Sequence, residues 1–374
     1  MSGPYEYLQS HEREIIASLK ELVLAESPTR HKELVDSCGA TLTKLFQQHL
    51  GLEPEVIPQS TVGNHLKFSY GSGEAQLLIL AHFDTVWQPG RLGYRVDGDR
   101  IFGPGVLDMK GGLIQALWAL KSLKDLNVAL NKKIVVLCNS DEEIGSPTSR
   151  SLIEEEARKS QAVFVVEPAE ANSGALKTAR KGVSMYRLNI SGRSAHAGNH
   201  HEGGVSAVLE LARQIEFLEG LTDYEVGTTL NVGVAKGGTQ SNVVPEHAEA
   251  HVDVRTVTLQ EAKRVANIMA NLKPTLEGAT VSVSGGINRP PMERTEHTAR
   301  LYQVAKEIAH RLRFELPEAL VGGGSDGNFT AALGVPTLDG LGAVGDGPHA
   351  EYEHIYVPAL TQRSGLLAEL LMHC

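Results

Sequence analysis

Three apolar runs in the first half of the chain each end in side chains that bind cations or move protons. Residues 77–80 lead into His82 and Asp84, residues 134–137 into Asp141, Glu142 and Glu143, and residues 163–166 into Glu167. In an open parallel sheet, ligands bind beyond the carboxyl ends of the strands, so these groups would converge on one edge. Crowded carboxylates repel one another and resist ionisation, and a divalent cation relieves that repulsion. Histidine plus carboxylates, with no cysteine nearby, suit zinc or another first-row metal. Two more ligand candidates lie in glycine-rich loops. Asp108 falls in Gly103-Pro104-Gly105-Val106-Leu107-Asp108-Met109-Lys110-Gly111-Gly112, and His349 in Gly345-Asp346-Gly347-Pro348-His349-Ala350-Glu351. Taken singly, each has a plainer explanation: a solvated strand end, or acids favouring a helix N-terminus. The coincidence of His82, Asp108, Glu143, Glu167 and His349, each after a strand or in a glycine loop, points instead to one cation-binding centre.

The surrounding pattern supplies the scaffold. Leu34, Cys38, Leu42 and Leu45 recur at helical spacing, as do Leu113, Leu117, Leu120 and Leu123. Short, wholly apolar runs separated by helices predict buried parallel strands, hence an α/β fold with helices on both faces of a sheet. Near Arg180 the period changes to two. Tyr186, Leu188 and Ile190 alternate with polar residues, and so do Leu230, Val232 and Val234, then Ala248, Ala250, Val252 and Val254, then Val281 and Val283. This predicts strands with one buried face. Two amphipathic helices fit between them, one through Val205, Val208, Leu209, Ala212 and Ile215, the other over residues 260–272. Residues 180–288 are therefore expected to form an inserted α+β unit, and residues 1–179 and 289–374 the metal-binding domain. After a helix over residues 298–311, short strand and loop segments are expected to the C-terminus.

At 374 residues the chain exceeds one ordinary core. A 41% hydrophobic and 21% charged composition suits a globular protein, and a net charge of −10 without a basic stripe argues against nucleic acid as a partner. No apolar run is long enough to span a membrane. The N-terminal residues lack a signal-peptide layout, and three distant cysteines give no disulfide framework, so a cytoplasmic location is expected.

The segments Leu80-Ala81-His82-Phe83-Asp84-Thr85-Val86, residues 103–112, Ser140-Asp141-Glu142-Glu143-Ile144-Gly145-Ser146, Glu167-Pro168, Ser194-Ala195-His196-Ala197-Gly198, Gly322-Gly323-Gly324-Ser325-Asp326 and Gly347-Pro348-His349 together resemble the co-catalytic zinc exopeptidases and deacylases. That family includes glutamate carboxypeptidase, acetylornithine deacetylase and succinyl-diaminopimelate desuccinylase, and the glutamate carboxypeptidase branch is the most similar. The resemblance implies a mixed, largely parallel sheet sandwiched by helices, with the inserted unit as a lid and dimerisation domain. It implies two Zn2+ per subunit, with Co2+ or Mn2+ as possible substitutes. Asp108 would bridge them, and its peptide bond to Met109 would be cis, with His82 and Glu167 on one ion and Glu143 and His349 on the other. Asp84 would orient His82, and Glu142 would be the general base. His196 would complete the site of a partner subunit in a homodimer by stabilising the oxyanion. Asn242, Arg255 and, more weakly, Arg289 would hold a substrate carboxylate, and Gly323 and Gly324 would bring backbone close to the substrate. Asp326 would fix its loop.

The implied activity is hydrolysis of an amide bond next to a free carboxylate, as in a carboxypeptidase. An acetylornithine-type deacylase, an aminoacylase or a dipeptidase could share every ligand. A catalytically silent binding module would be expected to lack Glu142, His196 or a ligand, and all are present. A nucleotide-binding reading of Gly322-Gly323-Gly324-Ser325 lacks the Gly-Lys-Ser/Thr that a phosphate loop needs.

Overall fold

The computed structural model describes residues 3–171 and 173–374, which divide into two compact units. The first comprises residues 1–179, 294–321 and 325–374, the second residues 180–293 and 322–324.

The first unit is built on a six-stranded sheet in the order Glu55–Ile57, His65–Tyr70, Lys132–Asn139, Ala75–His82, Ala162–Val165, Thr337–Leu338. Its first two strands pair antiparallel, and the last four run parallel. The apolar runs are continuous because both faces are covered. Leu77, Ile79, Ala81, Ile134, Val136 and Cys138 point into one core, with the helices Glu12–Leu24, Lys32–Leu50, Gly111–Asp125, Glu296–Arg311 and Val357–His373. Leu78, Leu80, Val135 and Leu137 point into the other, with Ile153 and Ala157 of Arg150–Arg158 and Phe329 of Gly327–Ala332. The mixed α/β layer fold expected from the sequence is thus present.

Register explains why the chemistry gathers. His82 pairs with Asn139, and Leu80 pairs with Val165. Glu167, two residues beyond Val165, therefore stands level with His82, and Glu142 and Glu143 lie just past the end of their own strand. A second sheet, Gly345–Asp346, His354–Tyr356, Arg100–Phe102 and Arg95–Asp97, is antiparallel throughout. It sets the loop containing His349 beside the loop that leaves Phe102 towards Asp108.

The end of the chain departs from expectation. Instead of strand and loop segments, it closes in the 17-residue helix Val357–His373, with a proline in its first turn. Leu360, Leu366, Leu367, Leu370 and Leu371 are all buried, and so are Thr361, Ser364 and Gly365 between them. A helix enclosed on most of its circumference lacks the one-sided periodicity by which surface helices are read. The second sheet went unexpected because its strands are two or three residues long.

The second unit is an antiparallel sheet in the order Thr229–Gly237, His247–Thr256, Gly182–Ser191, Thr280–Arg289. The helices Ala207–Glu219 and Leu259–Ala270 cover its buried face, where Leu188, Ile190, Leu230, Ala250, Val252 and Val254 form the core. Ser206 and Thr258 cap the two helices by accepting the backbone N–H groups of Leu209 and Glu261. Glu210 is fully buried. It accepts from Gln214 Nε2, Thr275 N and Oγ1, and Leu276 N, tying the first helix to the segment after the second. No helix among the described residues is long and apolar enough to cross a membrane.

Candidate metal centre

The loop after Phe102 turns at Gly105, whose φ of 69° places it in the left-handed region, and Lys110 N–H closes it onto the Gly105 carbonyl at 2.8 Å. The Asp108–Met109 peptide bond is cis. The two carboxylate oxygens of Asp108 face opposite ways. Oδ1 lies 3.2 Å from His82 Nε2, and Oδ2 lies 3.4 Å from His349 Nε2. Glu167 Oε1 is 3.6 Å from His82 Nε2, and Glu143 Oε2 is 3.2 Å from His349 Nε2. Ligands ~2.0 Å from a tetrahedral ion sit about 3.3 Å from each other. The observed separations are those of donors sharing an ion on each side of Asp108. The buried Oε1 of Glu143 has no hydrogen-bond partner among the described residues, which fits a lone pair reserved for a cation. The residues present therefore fit two divalent metal ions. The donor atoms of His82, Glu142 and Glu167 also lie within 4.8 Å of one another, so the Glu142 carboxylate adjoins the His82 side of the centre.

The electrostatics agree. Asp108 and Glu143 hold the His349 imidazole up at about 11. Burial pulls His82 down, but Asp108, Asp84 and Glu167 outweigh it and keep its pKa well above the usual value. Burial and the Asp108 charge push Glu143 up to about 7, against the pull of His349. The excess of carboxylates holds protons on both imidazoles, and the same field would hold divalent cations once those protons leave.

His82 donates from Nδ1 to the Asp84 carbonyl at 3.0 Å, with Asp84 Oδ1 at 3.4 Å, which leaves Nε2 as the nitrogen turned to Asp108 and Glu167. The fully buried Asp84 does more than orient His82. Its carboxylate accepts Thr29 Oγ1 at 2.8 Å and the backbone N–H groups of Glu142 and Glu143 at 3.3 Å each. Asp141, also fully buried, fixes that turn from beneath by accepting the backbone N–H and hydroxyl groups of Thr148 and Ser149. Asp326 accepts Asn139 Nδ2 at 2.7 Å and the Ser146 hydroxyl, anchoring its own loop to the turn that carries Glu142 and Glu143. Glu167 is held by close backbone approach. A Cβ on Gly112 would lie 1.9 Å from the Val166 carbonyl oxygen, and one on Gly342 would lie 2.1 Å from the same atom. His349 itself has φ 62° and a half-exposed side chain.

The structure gathers His82, Asp84, Asp108, Glu142, Glu143, Glu167 and His349 in the first unit. His196, Asn242, Arg255, Arg289, Gly323 and Gly324 belong to the second. There, His196 and Asn242 occupy adjoining loops, with Ala197 N donating to the Asn242 carbonyl at 3.0 Å. His196 Nδ1 accepts from Gly198 N and Asn199 N, both at 3.1 Å. Arg255 and Arg289 stand in one row of the sheet, each paired with Val183. Asp253 grips Arg255 through Nε and Nη2, while Nη1 faces the Gly322 carbonyl at 3.5 Å. Gly323 is exposed, with open space where a Cβ would stand, and its carbonyl accepts from Arg180. Sequence reasoning missed Glu353, a buried carboxylate against the Asp108 loop. Its position four residues past His349 was the one available signal.

The family model for peptidase family M20/M25/M40 matches residues 78–373. Carboxypeptidase G2 from Pseudomonas sp. (strain RS-16) is 32% identical over 378 residues, covering 96% of this chain and 88% of that one. Aminopeptidase PepT from Bacillus cereus superposes with a TM-score of 0.81 at 24% identity, over 96% of this chain and 98% of that one. The Bacillus subtilis YXEP protein, described as a dinuclear metal binding peptidase, superposes with a TM-score of 0.73 at 16% identity, over 98% of both chains.

Proposed function

The chain belongs to peptidase family M20/M25/M40 and is a metal-dependent hydrolase, and from that premise we propose that it is a di-zinc carboxypeptidase of the glutamate carboxypeptidase type. The observation that carries this reading is Asp108, with one oxygen turned to His82 and the other to His349. Asp108, His82 and Glu167 would hold one zinc, and Asp108, Glu143 and His349 the other, with Co2+ or Mn2+ as substitutes. When bound, the pair would lower the pKa of a water to ~7 and polarise the amide carbonyl.

The protein's own groups do the rest. Glu142 adjoins the His82 side of the centre, while its neighbour Glu143 faces His349. It takes the proton of the attacking water and returns it to the leaving amine. Asp84 keeps the Glu142–Glu143 turn and the His82 ring in fixed relation. Because two backbone N–H groups point at His196 Nδ1, the ring hydrogen sits on Nε2, where it can donate to a developing oxyanion. We assign that donation to the site of a partner subunit, in a homodimer formed through the second unit. Arg255, aligned by Asp253, grips the substrate carboxylate with Asn242, and Arg289 in the same row offers a second cation for a dicarboxylic residue such as glutamate. Gly323 and Gly324 admit the substrate backbone. The free thiols of Cys38, Cys138 and Cys374 suit a reducing cytoplasm.

The test is a release assay on zinc-loaded enzyme with N-acyl-glutamates, folate-like conjugates, N-acetylornithine, succinyl-diaminopimelate and dipeptides. C-terminal glutamate should be preferred, and Glu142→Gln should retain its metal while losing nearly all turnover. Preference for N-acetylornithine would move the enzyme to the deacylases. Turnover retained by Glu142→Gln would remove Glu142 as the base.

A further inference from the structure

Glu353 stands apart from the assigned residues, yet its carboxylate is more fully committed than most in the first unit. The residue is 1% exposed. Its Oε1 accepts Leu107 N–H at 2.9 Å and Asp108 N–H at 3.1 Å, and its Oε2 accepts Trp87 Nε1–H at 2.6 Å and Gly105 N–H at 3.1 Å. All four partners are N–H donors, and none can reverse its role. Only an ionised carboxylate, with acceptor sites on both oxygens and no hydrogen of its own, satisfies such a set.

Three segments meet on this one side chain. Trp87 follows the strand end that carries His82 and Asp84. Residues 105–108 present the Asp108 carboxylate. Glu353 itself belongs to the loop of His349, where its N–H donates to the Ala350 carbonyl at 2.8 Å. The Asp108 backbone is thus held by the loop that supplies His349, not by its own loop alone.

We propose that Glu353 is a positioning residue that sets the Asp108 carboxylate between the two metal sites, so that its loss weakens both sites together. This rests on the two-ion reading above. Asp108 offers one oxygen to each side, and a rotation of its backbone withdraws both, whereas His349 touches one side only. In Glu353→Gln, the new amide group must face either the Leu107 and Asp108 N–H groups or the Trp87 and Gly105 donors. Two donors are then left opposed to another donor, whichever way the amide turns.

The experiment titrates Co2+ into metal-free full-length protein, following the visible absorption of the bound ion and the stoichiometry by elemental analysis, for wild type, Glu353→Gln, Trp87→Phe and His349→Ala. Metal affinity should fall about 10–100-fold at both sites in Glu353→Gln, the range seen when a group supporting a ligand is removed. The Co2+ spectrum should change as well. Trp87→Phe, which removes one of the four hydrogen bonds, should give a smaller loss at both sites, and His349→Ala should lose one ion and largely keep the other. Wild-type affinities and spectrum in folded Glu353→Gln would overturn the proposal, as would loss confined to one site. If Glu353→Gln does not fold, wild-type behaviour of Trp87→Phe overturns it instead. A wild-type stoichiometry of one would refute the two-ion reading itself, whatever the variants do.

Discussion

Asp84→Asn is the sharpest test of how the ligands are held, because it changes no volume and removes one acceptor. In the native carboxylate, Oδ2 accepts Thr29 Oγ1 and Glu143 N–H, and Oδ1 accepts Glu142 N–H and faces His82 Nδ1. The new amide nitrogen can take either place. On the Oδ1 side it would oppose two fixed donors. On the Oδ2 side the Thr29 hydroxyl can turn to accept from it, and only Glu143 N–H is orphaned, so this orientation wins. A buried N–H left without an acceptor costs about 1–3 kcal/mol, and that cost falls on the backbone of Glu143, a proposed metal ligand. Relief by shifting the Glu142–Glu143 turn would lower metal affinity by about 5- to 150-fold, at ~1.4 kcal/mol per decade. The assay is competition of the metal-free protein against a chelator of known affinity, with near-ultraviolet circular dichroism to confirm the fold. On the two-ion reading, the larger loss should appear at the ion assigned to Glu143 and His349, and kcat should fall more than KM rises. A correctly folded Asp84→Asn protein with unchanged affinity for both ions would refute the claim that this carboxylate positions the turn.

Gly112→Ala would push a methyl group into the Val166 carbonyl, closer by more than an ångström than any real contact allows. We expect a destabilisation of about 1–3 kcal/mol and reduced metal content, because Glu167 directly follows Val166, measured by thermal melting and elemental analysis. In the second unit, Glu210→Ala leaves the Thr275 and Leu276 N–H groups without their buried acceptor and should cost about 2–5 kcal/mol, read as faster hydrogen exchange in the Ala207–Glu219 helix. The cost should also depend on pH. Burial pushes the Glu210 pKa up, but the hydrogen bonds from Gln214, Thr275 and Leu276 outweigh it and hold the folded-state value below the usual carboxylate range. A lowered folded-state pKa means the stabilisation is complete above about pH 4.3 and disappears as pH falls through the folded value. The stability difference between wild type and Glu210→Ala, measured by urea unfolding, should therefore shrink below pH 4.

The parts legible in the sequence were those with one dominant cause. The runs over residues 77–80, 134–137 and 163–166 are buried on both faces, and nothing but a covered parallel strand explains them. Their register then gathers His82, Glu142, Glu143 and Glu167 at one edge. Other parts had competing causes. The Val357–His373 helix is enclosed on most of its circumference, so no period marks it out. Glu353 and Asp141 look like ordinary acids until the donors around them are known, because those donors are mostly backbone N–H groups contributed by other segments. Asp84 was read as the orienter of one histidine, but its hydrogen bonds to Glu142 and Glu143 come from backbone, which leaves no mark on side-chain identity. The second unit's Asp253–Arg255 pair was likewise invisible as a pair, since Arg255 was read as holding a substrate carboxylate and Asp253 carried no separate signal on the same strand.

The chain order of the first unit also has a consequence for how the protein is made. His82, Asp108, Glu143 and Glu167 precede the inserted unit, while His349, Glu353 and the C-terminal helix follow it. Roughly 180 residues separate Glu167 from His349, so on a ribosome adding ~5–20 residues per second Asp108 and Glu143 precede the histidine they face by at least on the order of 10–40 s. During that interval the Gly111–Asp125 helix lacks the Val357–His373 helix that packs against it, and apolar surface stays open. On the two-ion reading, the His82, Asp108 and Glu167 set is synthesised early, and only the ion that needs His349 has to wait for the end of the chain.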